Sequence, residues 1–230
     1  MHAHADRLPG GAALDTFADQ WLRPDERARY ERFRHDRDRR MFLLGRVLAR
    51  QIVGQALGCR PREWTWREGP RGRPEIADDH ASLRFNLAHS GGLVVCALAR
   101  DRDVGVDVES TTRRAPEAAI VDRYCAPSEV ADIRTHDRDW PTRFLEYWTL
   151  KEAYLKARGL GIAVPLHDIA FDLTTPAHPR IAFLDSLTGQ DDRWAFTLAR
   201  PTAEHIVAVA THTPDGARPA VTVRAWNAEP

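Results

Sequence analysis

The chain has 230 residues, 43% hydrophobic and 29% charged, and its 33 basic and 33 acidic residues give a formal net charge of zero. That length carries one large domain or two small ones with real cores, and neutrality argues against a general nucleic-acid binder. Scattered cysteines (Cys59, Cys96, Cys125) argue against a disulfide framework or a zinc site, and with no leader pattern and no membrane-length apolar run they predict a soluble cytoplasmic protein.

Arginines crowd "RPDERARYERFRHDRDRRMFLLGRVLAR", residues 23–50, with acids interleaved. The segment reads as a solvated helix face, or as a basic surface of which a few arginines hold phosphate. Phe42, Leu43, Val47, Ile52 and Leu57 fall near helical spacing and predict a helix over Asp38–Leu57, stopped by Gly58. "PREWTWREGPRGRPEI" follows as strand and turn. The turn gathers Arg67, Arg71 and Arg73 beside Gly72 and Pro74, either an exposed basic turn or a bidentate phosphate clamp.

"SLRFNLAHS" and "LVVCALARD", separated by Gly91 and Gly92, predict a hairpin. His89 stands where the first strand ends, with Asn86 nearby; it is a satisfied structural imidazole or a ligand contact. "VGVDVES" predicts a third strand with Val104, Val106 and Val108 on one face and Gly105, Asp107 and Glu109 on the other. Two carboxylates on one face suit a wet polar side, or a cation held between them. Residues 111–117 form a connection.

A helix is predicted over Pro141–Arg158, ended by Gly159. Trp148, Glu152 and Lys156 lie on one stripe of it. A Glu with a Lys four residues on is an ordinary surface pair, but Lys151 and Lys156 are the only lysines among 33 basic residues. A chain that otherwise writes arginine keeps lysine where a compact ammonium is needed. Three carboxylates beside such an ammonium suggest a hard-cation site of the Mg²⁺ kind. "RWAFTLARP" and "EHIVAVATH" predict a second hairpin. Each half thus reads as a helix on a small antiparallel sheet, an α+β fold of two similar subdomains, residues 1–104 and 105–230.

In order and spacing, "HDRDRRMFLLGRVLAR", "RGRP", "FNLAHSGG", "VGVDVE" and "WTLKEAYLKARGLG" resemble the Sfp-type phosphopantetheinyl transferases, the W-x-x-KEA branch of that superfamily. The resemblance runs from about Pro24 to Val209. It implies a pseudo-dimer with its active site in the cleft between the subdomains. It also implies transfer of the 4′-phosphopantetheine arm of coenzyme A to a serine of an apo carrier protein, with release of adenosine 3′,5′-bisphosphate.

By the same resemblance Asp107, Glu109 and Glu152 hold Mg²⁺, and Lys156 neutralises phosphate charge. Arg37, Arg67, Arg73 and His89 grip the coenzyme A phosphates, Gly72 and Pro74 shape the turn, and Asn86 and Ala88 belong to the same pocket. Glu152 is the candidate base for the carrier serine and Glu129 the second candidate. Lys151, turned away from Glu152, is assigned to pantetheine, carrier or solvent. The family usually has serine where this chain has Ala88, so a hydroxyl contact to coenzyme A is expected to be missing. A monomer is expected. The rival readings are a metal-dependent pyrophosphate hydrolase and a non-enzymatic module binding coenzyme A or nucleic acid.

Overall fold

The computed structural model describes residues 1–69, 74–77, 82–113, 117–136, 139–161 and 164–226. The chain opens with a short strand, β1 (His2–His4), and two short helices, α1 (Ala12–Trp21) and α2 (Pro24–Glu31), before the first long helix, α3 (Asp36–Leu57). Leu43, Leu44, Val47, Leu48 and Val53 form the buried stripe of α3, which packs on a hairpin of β4 (Leu83–Ser90) and β5 (Leu93–Arg100). Between helix and hairpin, β2 (Trp66–Glu68) and β3 (Pro74–Ile76) make a separate two-stranded ribbon. At the hairpin turn Gly91 and Gly92 have φ of 56° and 90°, the left-handed backbone that a two-residue turn demands.

The second half repeats this plan. Strand β6 (Val104–Ser110) is followed by α4 (Ala118–Tyr124), α5 (Pro127–Arg134) and the second long helix, α6 (Trp140–Arg158). A ribbon of β7 (Ile169–Asp172) and β8 (Arg180–Phe183) comes next, then a hairpin of β9 (Trp194–Thr202) and β10 (His205–His212). The main sheets have orders β1-β5-β4 and β6-β10-β9, both antiparallel. The order is equivalent in the two halves: opening strand, second hairpin strand, first hairpin strand. The fold is α+β.

The halves meet where β6 lies against β4 and β5. Ala88, Val95, Val106, Val108 and Val207 fill this seam, and the Asn86 Oδ1 accepts a hydrogen bond from the Val106 N–H at 3.0 Å. The other face of β6 is not the wet surface that its carboxylates suggested: every residue of the strand is buried. Helix α6 covers it. A Cβ at position 105 would collide with the backbone of Ala153 and Ala157, so Gly105 is what lets the helix come down onto the strand. The carboxylates are therefore enclosed beneath α6.

Two further features depart from the sequence reading. The C-terminal tail does not stay with the second half. It lies along β1, with His2 N–H donating to Arg224 O at 2.9 Å and Trp226 N–H to His2 O at 2.8 Å, and Trp226 enters the first half's core. The arginines of residues 23–50 are also not a uniformly solvated face. Arg40 donates to the carbonyls of Ala5, Leu8 and Pro9, Arg46 stacks on Phe42 and Trp66 at 4.6 and 4.4 Å, and Arg50 is buried against Glu26 at 2.6 Å.

Candidate active site

The fold brings Asp107, Glu109 and Glu152 into one neighbourhood beside Lys156. Asp107 and Glu109 share the α6-facing side of β6, and Glu152 and Lys156 lie one turn apart on α6. The Lys156 Nζ donates to Asp107 Oδ1 at 2.6 Å. Glu109 Oε2 accepts from Ser90 Oγ at 3.1 Å and from Arg113 Nη1 at 2.7 Å. Glu152 has no such partner: its Oε1, like Asp107 Oδ2, is buried with no hydrogen bond.

Buried carboxylate oxygens without donors are costly. Burial raises the Asp107 carboxyl above its ordinary value, against the pull of Lys156. It also raises that of Glu152, where the negative charge of Asp107 adds to the effect. Among the described residues no three His, Cys, Asp or Glu side chains already converge as a ligand cluster. The donor set nevertheless fits a hard divalent cation: carboxylate oxygens only, two of them orphaned, and mutual repulsion that a cation would relieve.

A cleft of about 430 Å³ lies between α3 and β4. Arg37, His89 and Ser90 line it with Phe42 and Arg46. Loss of solvent, then the charges of Lys156 and Arg37, hold the His89 imidazole below its ordinary pKa. An apolar groove of about 310 Å³, lined by Ile120, Tyr124, Phe144, Leu145 and Trp148, opens beside Glu109 and Arg113. The sequence reading did not find this groove, because its aromatic residues come from separate helices.

Other expected residues fall elsewhere. Arg67 does not line the cleft; it is exposed and pairs with Glu75 at 3.6 Å. Pro74 opens β3 opposite Glu68, and Arg71, Gly72 and Arg73 lie outside the described residues. Asn86 is spent on the seam. Ala88 is the exception: it lines the cleft as expected, though it is only 5% exposed and also packs with Val106 and Val108. Strand alternation explains that packing: Asn86, Ala88 and Ser90 face β6, while Leu87 and His89 face α3.

Lys151 and Glu129 are a correction. Neither meets solvent: Lys151 is 1% exposed and Glu129 is 0%. The Lys151 Nζ donates to Glu129 Oε2 at 2.6 Å, Tyr124 O at 2.9 Å and Leu166 O at 2.8 Å, which uses all three ammonium donors. Glu129 in turn accepts from Ala126 N–H and Phe171 N–H, both at 2.8 Å. It is the N-terminal cap of α5 and an anchor for β7, with no oxygen free to take a proton from a substrate.

Residues 103–210 match the family described as the 4′-phosphopantetheinyl transferase superfamily, and residues 13–101 match the N-terminal part of a 4′-phosphopantetheinyl transferase. A phosphopantetheinyl transferase of Thraustochytrium sp. is 34% identical over 238 residues, covering 94% of this chain and 81% of the relative. The 4′-phosphopantetheinyl transferase HetI of Nostoc sp. is 38% identical over 161 residues, 69% of this chain and 67% of its own length. The 4′-phosphopantetheinyl transferase Sfp of Bacillus subtilis is 29% identical over 167 residues, covering 72% of this chain and 73% of its own. The hydrolase and the non-enzymatic module find no support in these likenesses. No helix among the described residues is long and apolar enough to cross a membrane.

Proposed function

From the premise that the chain belongs to the 4′-phosphopantetheinyl transferase superfamily, we propose how its cleft performs that transfer. The enzyme moves the 4′-phosphopantetheine arm of coenzyme A to a serine of a carrier protein. The serine oxygen bonds to the β-phosphorus, the pyrophosphate bridge breaks, and adenosine 3′,5′-bisphosphate leaves. The difficulty is negative charge on phosphate oxygens, which fixed cations in an enclosed site stabilise.

The observation that carries this reading is the pair of buried, unpartnered oxygens on Asp107 and Glu152, next to Lys156 and across the seam from His89. Asp107, Glu109 and Glu152 are the groups we assign to Mg²⁺. When bound, it would offset charge on the pyrophosphate. Arg37 and His89 hold the coenzyme A phosphates in the cleft along α3. Lys156 neutralises charge on the reacting phosphate side. Glu152, raised above an ordinary carboxyl, takes the proton of the carrier serine. The apolar groove beside Glu109 is lined in part by Arg113, Ile120 and Tyr124, and there we place the carrier.

We treat residues 1–104 as the coenzyme A side and 105–226 as the side of the carboxylates and α6, with the tail strapped across. The protein is read as a monomer and as cytoplasmic, the latter supported by its three free cysteines. Incubation with coenzyme A, Mg²⁺ and an apo carrier tests the function by mass. A carrier heavier by about 340 Da is expected, the mass of the transferred group. Bisphosphate release with no gain by any carrier type would overturn it.

A further inference from the structure

We propose that Arg113 is an internal counter-ion to Glu109 that competes with the divalent cation and so makes metal binding depend on coenzyme A. This rests on the metal assignment above and goes beyond it. Arg113 Nη1 and Ser90 Oγ both donate to Glu109 Oε2, at 2.7 and 3.1 Å. Lys156 holds Asp107 in the same way at 2.6 Å. Among the described residues two of the three carboxylates therefore already have a cation at hydrogen-bond distance, and Glu152 does not.

The two internal cations differ in freedom. Lys156 rises from the last turn of α6, its side chain 31% exposed and held on Asp107 at 2.6 Å. Arg113 stands in the connection after β6, and its side chain is 57% exposed while Glu109's is 12% exposed. A guanidinium so placed can swing into water with little loss. Ser90 stays on Oε2 and keeps the carboxylate aimed. A divalent cation arriving alone meets a centre that Lys156 and Arg113 have nearly neutralised, and it must push Arg113 away. Arriving with coenzyme A, it brings phosphate charge that tolerates both. By linkage, whatever Arg113 takes from the metal's affinity in the absence of coenzyme A reappears as mutual enhancement of the two ligands. Arg113 also lines the mouth of the apolar groove, so its outward swing leads towards the carrier's approach.

The test is direct Mn²⁺ binding, followed by electron paramagnetic resonance, with and without coenzyme A and with no carrier present. Arg113→Gln is expected to bind Mn²⁺ alone about fivefold tighter than the wild type, the weight of a half-exposed pair. The tightening caused by coenzyme A should shrink by the same factor, and Arg113→Lys should behave like the wild type. In a Glu109→Gln background Arg113→Gln should change nothing, which ties the effect to this pair. Equal or weaker Mn²⁺ binding by folded Arg113→Gln overturns the Arg113 proposal and leaves the metal assignment standing. If wild type binds no Mn²⁺ even with coenzyme A, the metal assignment fails and this proposal with it.

Discussion

Glu26 with Arg50 and Glu129 with Lys151 occupy equivalent places in the two halves. Each glutamate sits in the first turn of a short helix opened by proline, Pro24 or Pro127. Each accepts from the backbone N–H just before that helix, Arg23 at 3.0 Å and Ala126 at 2.8 Å. Each meets, at 2.6 Å, a buried basic side chain about two turns before the end of the long helix. Arg50 also donates to Pro61 O and Trp64 O, as Lys151 does to Tyr124 O and Leu166 O.

The halves part company at the neighbouring helix positions. Beside Lys151, helix α6 has Glu152 and then Lys156; beside Arg50, helix α3 has Gln51 and then Gln55. Gln51 is neutral and accepts from the Trp226 indole of the tail. Glu152 is a carboxyl whose Oε1 lacks a partner. One scaffold thus carries a structural ion pair twice, and at the next helix position the second half, unlike the first, adds a carboxylate with an unpartnered buried oxygen. Structure is shared between the halves; the costly groups belong to the site.

The widest break in this parallel should come from the ion pairs. Lys151→Met strands the buried Glu129, whereas Arg50→Met leaves Glu26 a second cation, Arg46 at 3.2 Å. Lys151→Met is expected to cost about 3–5 kcal/mol and Arg50→Met less, both measured by urea unfolding. A loss under about 1 kcal/mol in one half alone would show that the pairs are not equivalent. Lys156→Arg separates the two lysines. It keeps the charge, so stability should stay within about 0.5 kcal/mol of wild type. Turnover should fall roughly 10–100-fold through misplacement of the cation, while coenzyme A affinity by calorimetry changes little. Wild-type turnover would remove Lys156 from the chemistry.

Ala88→Ser probes the seam between the halves. A hydroxyl placed among Val106 and Val108 is expected to lower stability by about 1–3 kcal/mol without improving the KM for coenzyme A. A lower KM would mean that the hydroxyl turns to the cleft, which Ala88 also lines, rather than into the seam. The smallest effect is a slope. In the metal-free protein with chelator, the folded state keeps the Glu152 proton above the ordinary carboxyl value of 4.5, where the unfolded chain has lost it. Stability attributable to this group is therefore present at low pH and is lost as pH rises through the raised value. Glu152→Gln should flatten that part of the stability–pH curve and leave the neutral-pH protein no less stable. An unchanged curve would mean that Glu152 is not strained by burial.

Much of this molecule was legible in its sequence. The periodicities of α3 and α6, the Gly91–Gly92 hairpin and the repeated helix-plus-hairpin plan follow from local pattern, because apolar spacing and turn residues act over a few neighbours. The short helices α1 and α4 escaped it, each spanning too few turns to leave a clear stripe, and α2 was legible only as part of a helix face over residues 23–50. The chain itself also singled out Asp107, Glu109, Glu152 and Lys156, through strand alternation and the scarcity of lysine. What only the tertiary structure decided was the meaning of that scarcity. Lys151 and Lys156 look alike in "WTLKEAYLKARGLG", yet one is enclosed by three acceptors and the other faces Asp107. Their fates depend on Tyr124, Glu129, Leu166 and Asp107, residues distant in sequence whose approach is fixed by packing. Burial had the same long-range origin. Nothing in "VGVDVE" tells whether its carboxylates meet water, because the helix that covers them is brought down by Gly105 against Ala153 and Ala157.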